Sequence, residues 1–181
     1  QLSWISRTGH EKLTDSRIGE LLEILEQDNN LNEVQRGNIR LARDSYNKAT
    51  KLPTDFVAEM AMHKSKSQIS WTKARAKNDF SIFRDDLAKM VEMSRKKADF
   101  LGFQEVRYDA LLDLYESGLT VSKVDPLFAG LRDHVAPLVK KVTENGKKPK
   151  MSWVHENNWS KEGQEKLSQS ISESIGFDFD A

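Results

Sequence analysis

The chain has 181 residues, 38% hydrophobic and 31% charged, with 28 Lys and Arg matched by 28 Asp and Glu. A neutral, charge-rich chain of this length can bury one core, and it has no field to draw nucleic acid or an anionic membrane, so neither is expected as a partner. Its lack of cysteine excludes disulfides, thiolate nucleophiles and Cys-ligated zinc, and agrees with a reducing compartment, with the cytoplasm as the default.

No apolar run approaches the roughly 18 residues of a membrane span, and the start lacks the charged segment and apolar core of a signal peptide. Beginning at Gln1 rather than Met implies a native start that is missing or processed. In chain order, the first predicted helix covers residues 15 to 27. Asp15 or Ser16 caps it, Ile18, Leu21, Leu22 and Leu25 form its stripe, and Gln27-Asp28-Asn29-Asn30 ends it. A second helix runs from about Asn32 to Lys51, with Val34, Ile39, Leu41, Ala42, Tyr46 and Ala49 inward and an exposed basic edge at Arg36, Arg40 and Arg43.

Two long helices follow, joined by a short polar break. Pro53 suits the first turn of the upstream helix, whose face holds Phe56, Met60, Ser67, Trp71 and Ala74. Asn78 and Asp79 form the interruption, because short polar side chains bond nearby backbone and favour caps over helix interiors. Downstream, Phe80, Phe83, Leu87, Met90, Val91, Ser94, Ala98 and Leu101 repeat at helical spacing, and Gly102 suits the end. Trp71, Phe80 and Phe83 are expected in the core.

Tyr108 to Tyr115 reads as a short helix stopped by Ser117-Gly118. Thr120 then caps a longer one with Val124, Leu127, Phe128, Leu131, Val135, Leu138 and Val142 on one face, and Pro137 is expected to kink it. Asn145-Gly146-Lys147-Lys148-Pro149 opens a loop region placed near 145–160. A last helix, about Lys161 to Ile175, uses Leu167, Ile171 and Ile175 and stops at Gly176. With almost no strand signal, the fold class is all-α: one helical region over residues 1–181, a multi-helix array built on a long antiparallel hairpin.

Chemistry is hard to find in these residues. His10, His63, His134 and His155 are far apart, whereas a helical zinc site needs two histidines one turn apart. His155-Glu156-Asn157-Asn158-Trp159 opens like H-E-x-x-H but ends in Trp, and His10-Glu11-Lys12-Leu13-Thr14 fails in the same way. The carboxylate pairs Asp85-Asp86, Asp109 with Asp113, and Asp178 with Asp180 read as solvated surface in so charged a chain. Lysines 140, 141, 147, 148 and 150, near Trp153 and Trp159, read as a solvated loop rather than a nucleic-acid footprint. No residue is assigned a catalytic, metal-binding or cofactor-binding role.

Several segments are more specific than their periodicity. Ala49-Thr50-Lys51-Leu52-Pro53, then Trp71-x-x-Ala74-Arg75 with Asn78-Asp79-Phe80 and Phe83, then Tyr108-Asp109-Ala110-Leu111-Leu112-Asp113-x-Tyr115-Glu116-x-Gly118-x-Thr120, together resemble the thermostable zinc carboxypeptidases often called the carboxypeptidase Taq family. Leu13-Thr14-Asp15-x-x-Ile18-Gly19-Glu20-Leu21-Leu22 and Gly176-Phe177-Asp178-Phe179 resemble its flanking segments, so the likeness covers nearly the whole chain.

The resemblance implies a larger, mainly helical metallopeptidase fold and a parent protein that removes C-terminal amino acids from peptide substrates. That parent would be cytoplasmic, homodimeric and zinc-dependent, with zinc polarising the scissile carbonyl and its bound water and the motif glutamate acting as base. The family's H-E-x-x-H helix, third zinc-binding glutamate and substrate-carboxylate residues lie beyond the segment matched by Phe179. The chain is therefore expected to be an internal or N-terminal-half fragment, inactive alone and without zinc, supplying scaffold or groove walls. Trp71, Arg75, Asn78 and Asp79 are its groove-facing candidates. The alternatives are a self-sufficient helical binding or scaffold module, and a fragment of a related helical oligopeptidase.

Overall fold

The computed structural model describes residues 1–147, 150–155 and 159–179, and among these every regular element is helical. The helices are α1 (Leu2–Leu13), α2 (Ser16–Glu26), α3 (Glu33–Thr50), α4 (Thr54–Lys77), α5 (Ser81–Leu101), α6 (Asp109–Leu112), α7 (Val121–Asn145), α8 (Ser152–His155) and α9 (Lys161–Ser174). The chain divides into two units, 1–128 and 129–181.

Local chemistry places most boundaries where the residues predict them. Asp15 caps α2 by accepting the Arg17 amide. Asn32 and Gln35 form a reciprocal capping box at the start of α3, each side chain accepting the other's backbone amide at 2.9 Å. Pro53 is the N-cap of α4, one position before its first turn. Asn78 ends α4 in the left-handed conformation with φ +49°, which Asn tolerates better than most residues, and the Asp79 amide closes the turn on Ala74 O at 2.9 Å. Ser160 caps α9, and Gly176 follows it at φ +89°.

In the first unit, α1 packs on α4, α4 on α5, α2 on α3 and α5 on α6, with α1 also touching α3. Helix α1 is absent from the sequence reading for a physical reason: polar residues dock it. Ser3 Oγ donates to Ala58 O at 3.0 Å, Arg7 pairs with Asp55, and His10 bonds Thr54 Oγ1 and Ala49 O, while Leu2, Trp4 and Ile5 point outward. Apolar periodicity is blind to such a seam.

The core gathers Ala98, Leu101 and Ala110, with Leu52 and Leu111 against them, and Phe56 meets Phe100 edge-on at 5.1 Å. Met93 is the large side chain most completely enclosed, at 1% exposure. It lies off the predicted stripe, because α5 is rotated so that half-buried Asp86 and Lys97 share its inner face. Trp71 and Phe80, expected in the core, are instead 44% and 61% exposed. On α3, Val34, Leu41 and Ala42 are exposed too, and Arg43 leaves the expected basic edge to bond Glu26 on α2 at 2.7 Å.

The pair Asp109 and Asp113 is not solvated surface. Asp109 is buried and accepts the amides of Val106 at 3.3 Å and Val121 at 2.8 Å, tying α6 to the start of α7. Asp113 accepts the Gly118 amide at 2.7 Å and pairs with Lys48. Such neighbouring backbone donors draw carboxylates inward, where charge counting places them in solvent. Helix α6 is correspondingly shorter than predicted, since the segment after Leu112 continues as turns.

The second unit holds the rest of α7, with α8 and α9. Helix α7 continues through Pro137 to Asn145. Its stripe Leu131, Val135, Leu138 and Val142 is exposed, as are Leu167 and Ile171 of α9 and Ile175 at its C-cap. The near-miss motif at His155 to Trp159 includes residues 156–158, and the Asp178–Asp180 pair includes Asp180; these, like Lys148 and Pro149 of the loop, lie outside the described residues.

Candidate functional site

The α4–α5 hairpin carries two adjoining open depressions. One, of about 460 Å³, is lined by Lys64, Ser67, Gln68, Trp71, Phe83, Leu87 and Met90. The other, of about 320 Å³, is lined by Trp71, Ala74, Arg75, Asn78, Asp79, Phe80 and Phe83. Trp71 and Phe83 belong to both, so the two form a continuous trough toward the hairpin tip.

The four residues singled out in the sequence therefore border one depression, but their chemistry differs. Asp79 Oδ1 accepts the Ser81 amide at 2.9 Å and the Ser81 hydroxyl at 2.7 Å, anchoring the start of α5. Those bonds, first the hydroxyl and then the amide, hold its carboxyl below the usual carboxylate range. Asn78 is used by the left-handed turn. Trp71 and Arg75 remain to present an exposed indole and a guanidinium.

Farther along, Ser67 is buried and its hydroxyl has no partner within the described residues. Its place among apolar neighbours reads as core in the sequence, and nothing in its spacing marks it out. On α5, Asp86 is held below the usual carboxylate range, first by Ser70 and then by Lys66, with His63 adding to it. His63 Nε2 in turn meets Asp86 O at 3.0 Å.

A second cluster surrounds the Tyr108 to Thr120 segment. Lys48 Nζ contacts Asp113 Oδ2 at 2.7 Å and Asp44 Oδ2 at 2.8 Å, beside a cavity of about 260 Å³. Burial pushes the Lys48 ammonium down, but the bonds to Asp113 and Asp44 outweigh it and the net shift is upward. Asp113 is lowered chiefly by the Gly118 amide and then by Lys48. Lys51 Nζ donates to Leu101 O at 2.8 Å. Lys48, Asp113 and Lys51 thereby join α3, α5 and the turn after α6, so the cluster is a brace.

These geometries define a helical scaffold with a trough along one hairpin. Relatives narrow the class further. All of residues 1–181 match the family described as carboxypeptidase Taq (M32) metallopeptidase. Carboxypeptidase 1 of Bacillus subtilis is 38% identical over 168 residues, covering 92% of this chain and 33% of that protein. Thermostable carboxypeptidase 1 of Pyrococcus furiosus is 34% identical over 173 residues, covering 96% of this chain and 35% of that one. Among solved structures, a crystal structure of a protein designated BsuCP superposes with a TM-score of 0.86 at 36% identity, covering 98% of this chain and 36% of the other. The apo-Mg structure of Pyrococcus furiosus carboxypeptidase gives 0.78 at 34% identity, covering 94% and 34%.

The chain belongs to the carboxypeptidase Taq (M32) metallopeptidase family. It spans about a third of the length of the curated relatives it matches. A metallopeptidase family implies a metal in the whole protein, and the described residues do not fit one. No three His, Cys, Asp or Glu side chains among them converge to hold an ion. His10 has both ring nitrogens engaged, and His134 Nδ1 meets the carbonyl of Gly130 at 2.7 Å in its own helix.

Proposed function

We propose that these residues form the helical scaffold of a metal-dependent carboxypeptidase that removes C-terminal amino acids from peptides, and that they carry no reaction by themselves. The observation that carries this reading is the family match over the whole chain, joined to a likeness of fold at 36% identity and TM-score 0.86. The coverage of only a third of each relative, with no metal-holding cluster among the described residues, supports placing the chemistry in the rest of the protein.

Zinc is the proposed metal, the cytoplasm the proposed compartment, and a homodimer the proposed assembly of the whole protein. No described helix is long and apolar enough to cross a membrane. Within the scaffold, Trp71, Arg75, Asn78 and Asp79 are proposed to face the peptide groove, Trp71 and Arg75 through contact and the other two by shaping the turn. An exposed indole beside a guanidinium suits an extended peptide, offering an apolar face and planar donors together.

The test uses the whole protein and the 181-residue chain side by side. With an N-blocked dipeptide, the whole protein releases the C-terminal amino acid, loses activity to a chelator and regains it with zinc; the 181-residue chain releases none. Turnover by the 181-residue chain with added metal overturns the scaffold reading. In the whole protein, Trp71→Ala and Arg75→Ala raise KM severalfold with kcat nearly kept, and an unchanged KM removes them from the groove.

A further inference from the structure

Three arginines spaced at i, i+4 and i+7 on α3 meet at one place, and nothing in the peptidase reading uses them. Arg36, Arg40 and Arg43 line a cavity of about 400 Å³ between the end of α2 and α3, over an apolar floor of Leu25, Leu31 and Ile39. The three guanidinium groups have different states.

Arg43 is neutralised: its Nε and Nη2 donate to the two oxygens of Glu26 at 2.7 and 3.0 Å. Arg36 is held without being neutralised, since its Nε donates to Leu31 O at 3.0 Å and its Nη2 to Asn29 O at 3.2 Å. Both partners are neutral carbonyls, so its positive charge is fixed in place with donors to spare. Arg40 lies between them with no hydrogen bond or ion pair among the described residues. The other carboxylate at the rim, Asp28, already accepts the Asn30 amide at 2.9 Å.

We propose that this cavity binds a small monocarboxylate with a branched aliphatic body. Arg36 and Arg40 would hold the carboxylate and Leu25, Leu31 and Ile39 the hydrocarbon. Among the lining side chains, three guanidinium groups exceed the carboxylates of Glu26 and Asp28 by one, and Glu23 acts on Arg43 from outside the lining, so the site suits a single negative charge rather than a polyanion. A guanidinium already oriented by two carbonyls loses little freedom on binding, and its planar fork fits a carboxylate. The apolar floor rejects a bare inorganic anion, because it returns no contact for the water it surrenders.

The test titrates the folded 181-residue chain with 4-methylpentanoate, its neutral analogue 4-methylpentanamide, and inorganic phosphate, by calorimetry and by backbone-amide NMR. The acid saturates at millimolar concentration and shifts the amides of Leu25, Leu31, Ile39 and Arg40, while the amide and phosphate bind at least tenfold more weakly. Arg40→Gln, which breaks no bond in the fold, weakens the acid at least tenfold. No saturation by the acid, shifts mapping elsewhere, equal binding of the amide, equal binding of phosphate, or an unaffected Arg40→Gln each overturns the site. The NMR mapping needs no variant, so the outcome does not depend on how Arg40→Gln folds.

Discussion

At the scale of single residues, the polar groups with most consequence are carboxylates that replace missing backbone partners. Asp113 takes the Gly118 amide and the Lys48 ammonium, and its pKa is lowered by those two bonds in that order. A lowered folded pKa means that the stabilisation is fully present above the unfolded carboxylate range and is lost as pH falls through the folded value. Asp113→Asn keeps an acceptor for Gly118 but gives up the charge facing Lys48. It is expected to cost about 1 kcal/mol at neutral pH. In urea unfolding, the gap between wild type and Asp113→Asn should shrink steadily as pH falls below the ordinary carboxylate range; a gap independent of pH would mean that the charge on Asp113 is irrelevant. Sequence spacing brings Asp109 and Asp113 onto one helical face, yet their partners at Val121, Gly118 and Lys48 come from turns and a distant helix. Only the fold supplies those.

At the scale of elements, the α2–α3 pair shows how one small residue governs a contact. A Cβ added at Gly19 would lie 2.7 Å from the hydroxyl oxygen of Tyr46 and 3.0 Å from its ring. Ala in place of Gly inside a helix is worth about 1 kcal/mol, whereas forcing an extra carbon into a packed contact costs about 1–3 kcal/mol. Gly19→Ala is therefore expected to destabilise the wild-type chain and to stabilise it by about 1 kcal/mol once Tyr46→Ala has opened the space. A double-mutant cycle in denaturant measures this change of sign, and additive effects would show that Tyr46 gives way freely.

The helices themselves were legible wherever apolar spacing and caps agree, as at Asp15, Asn32, Asn78 and Gly176. Helix α1 was not, because Ser3, Arg7 and His10 form its docking face. On α5 the predicted stripe is buried at Ala98 and Leu101 but exposed at Leu87 and Val91, because Asp86 and Lys97 share the inner face with Met93.

At the scale of the whole molecule, the second unit leaves Leu131, Val135, Leu138 and Val142 of α7, Leu167 and Ile171 of α9, and Ile175 at the α9 C-cap exposed. Contiguous apolar stripes of this kind are uncommon on proteins that stay monomeric. The 181-residue chain is expected to self-associate with rising concentration in sedimentation velocity. Leu131→Glu combined with Leu138→Glu should shift it toward monomer with helix content by circular dichroism unchanged. Unaltered association in that variant would move the contact away from α7.

By itself the sequence determined that the chain is helical, where most helices stop, and which family it belongs to. Those properties rest on local spacing, capping chemistry and residue order, which need no partner in space. Tertiary structure alone decided which face of each helix is buried, that Asp109 and Asp113 are braces, and that Trp71 and Arg75 border an open trough with Phe83. It also turned the basic edge of α3 into a pocket with one anchored and one unpartnered arginine. Each of these depends on what a residue meets across a distance in the chain, and periodicity along one helix carries no record of the neighbour that packs against it.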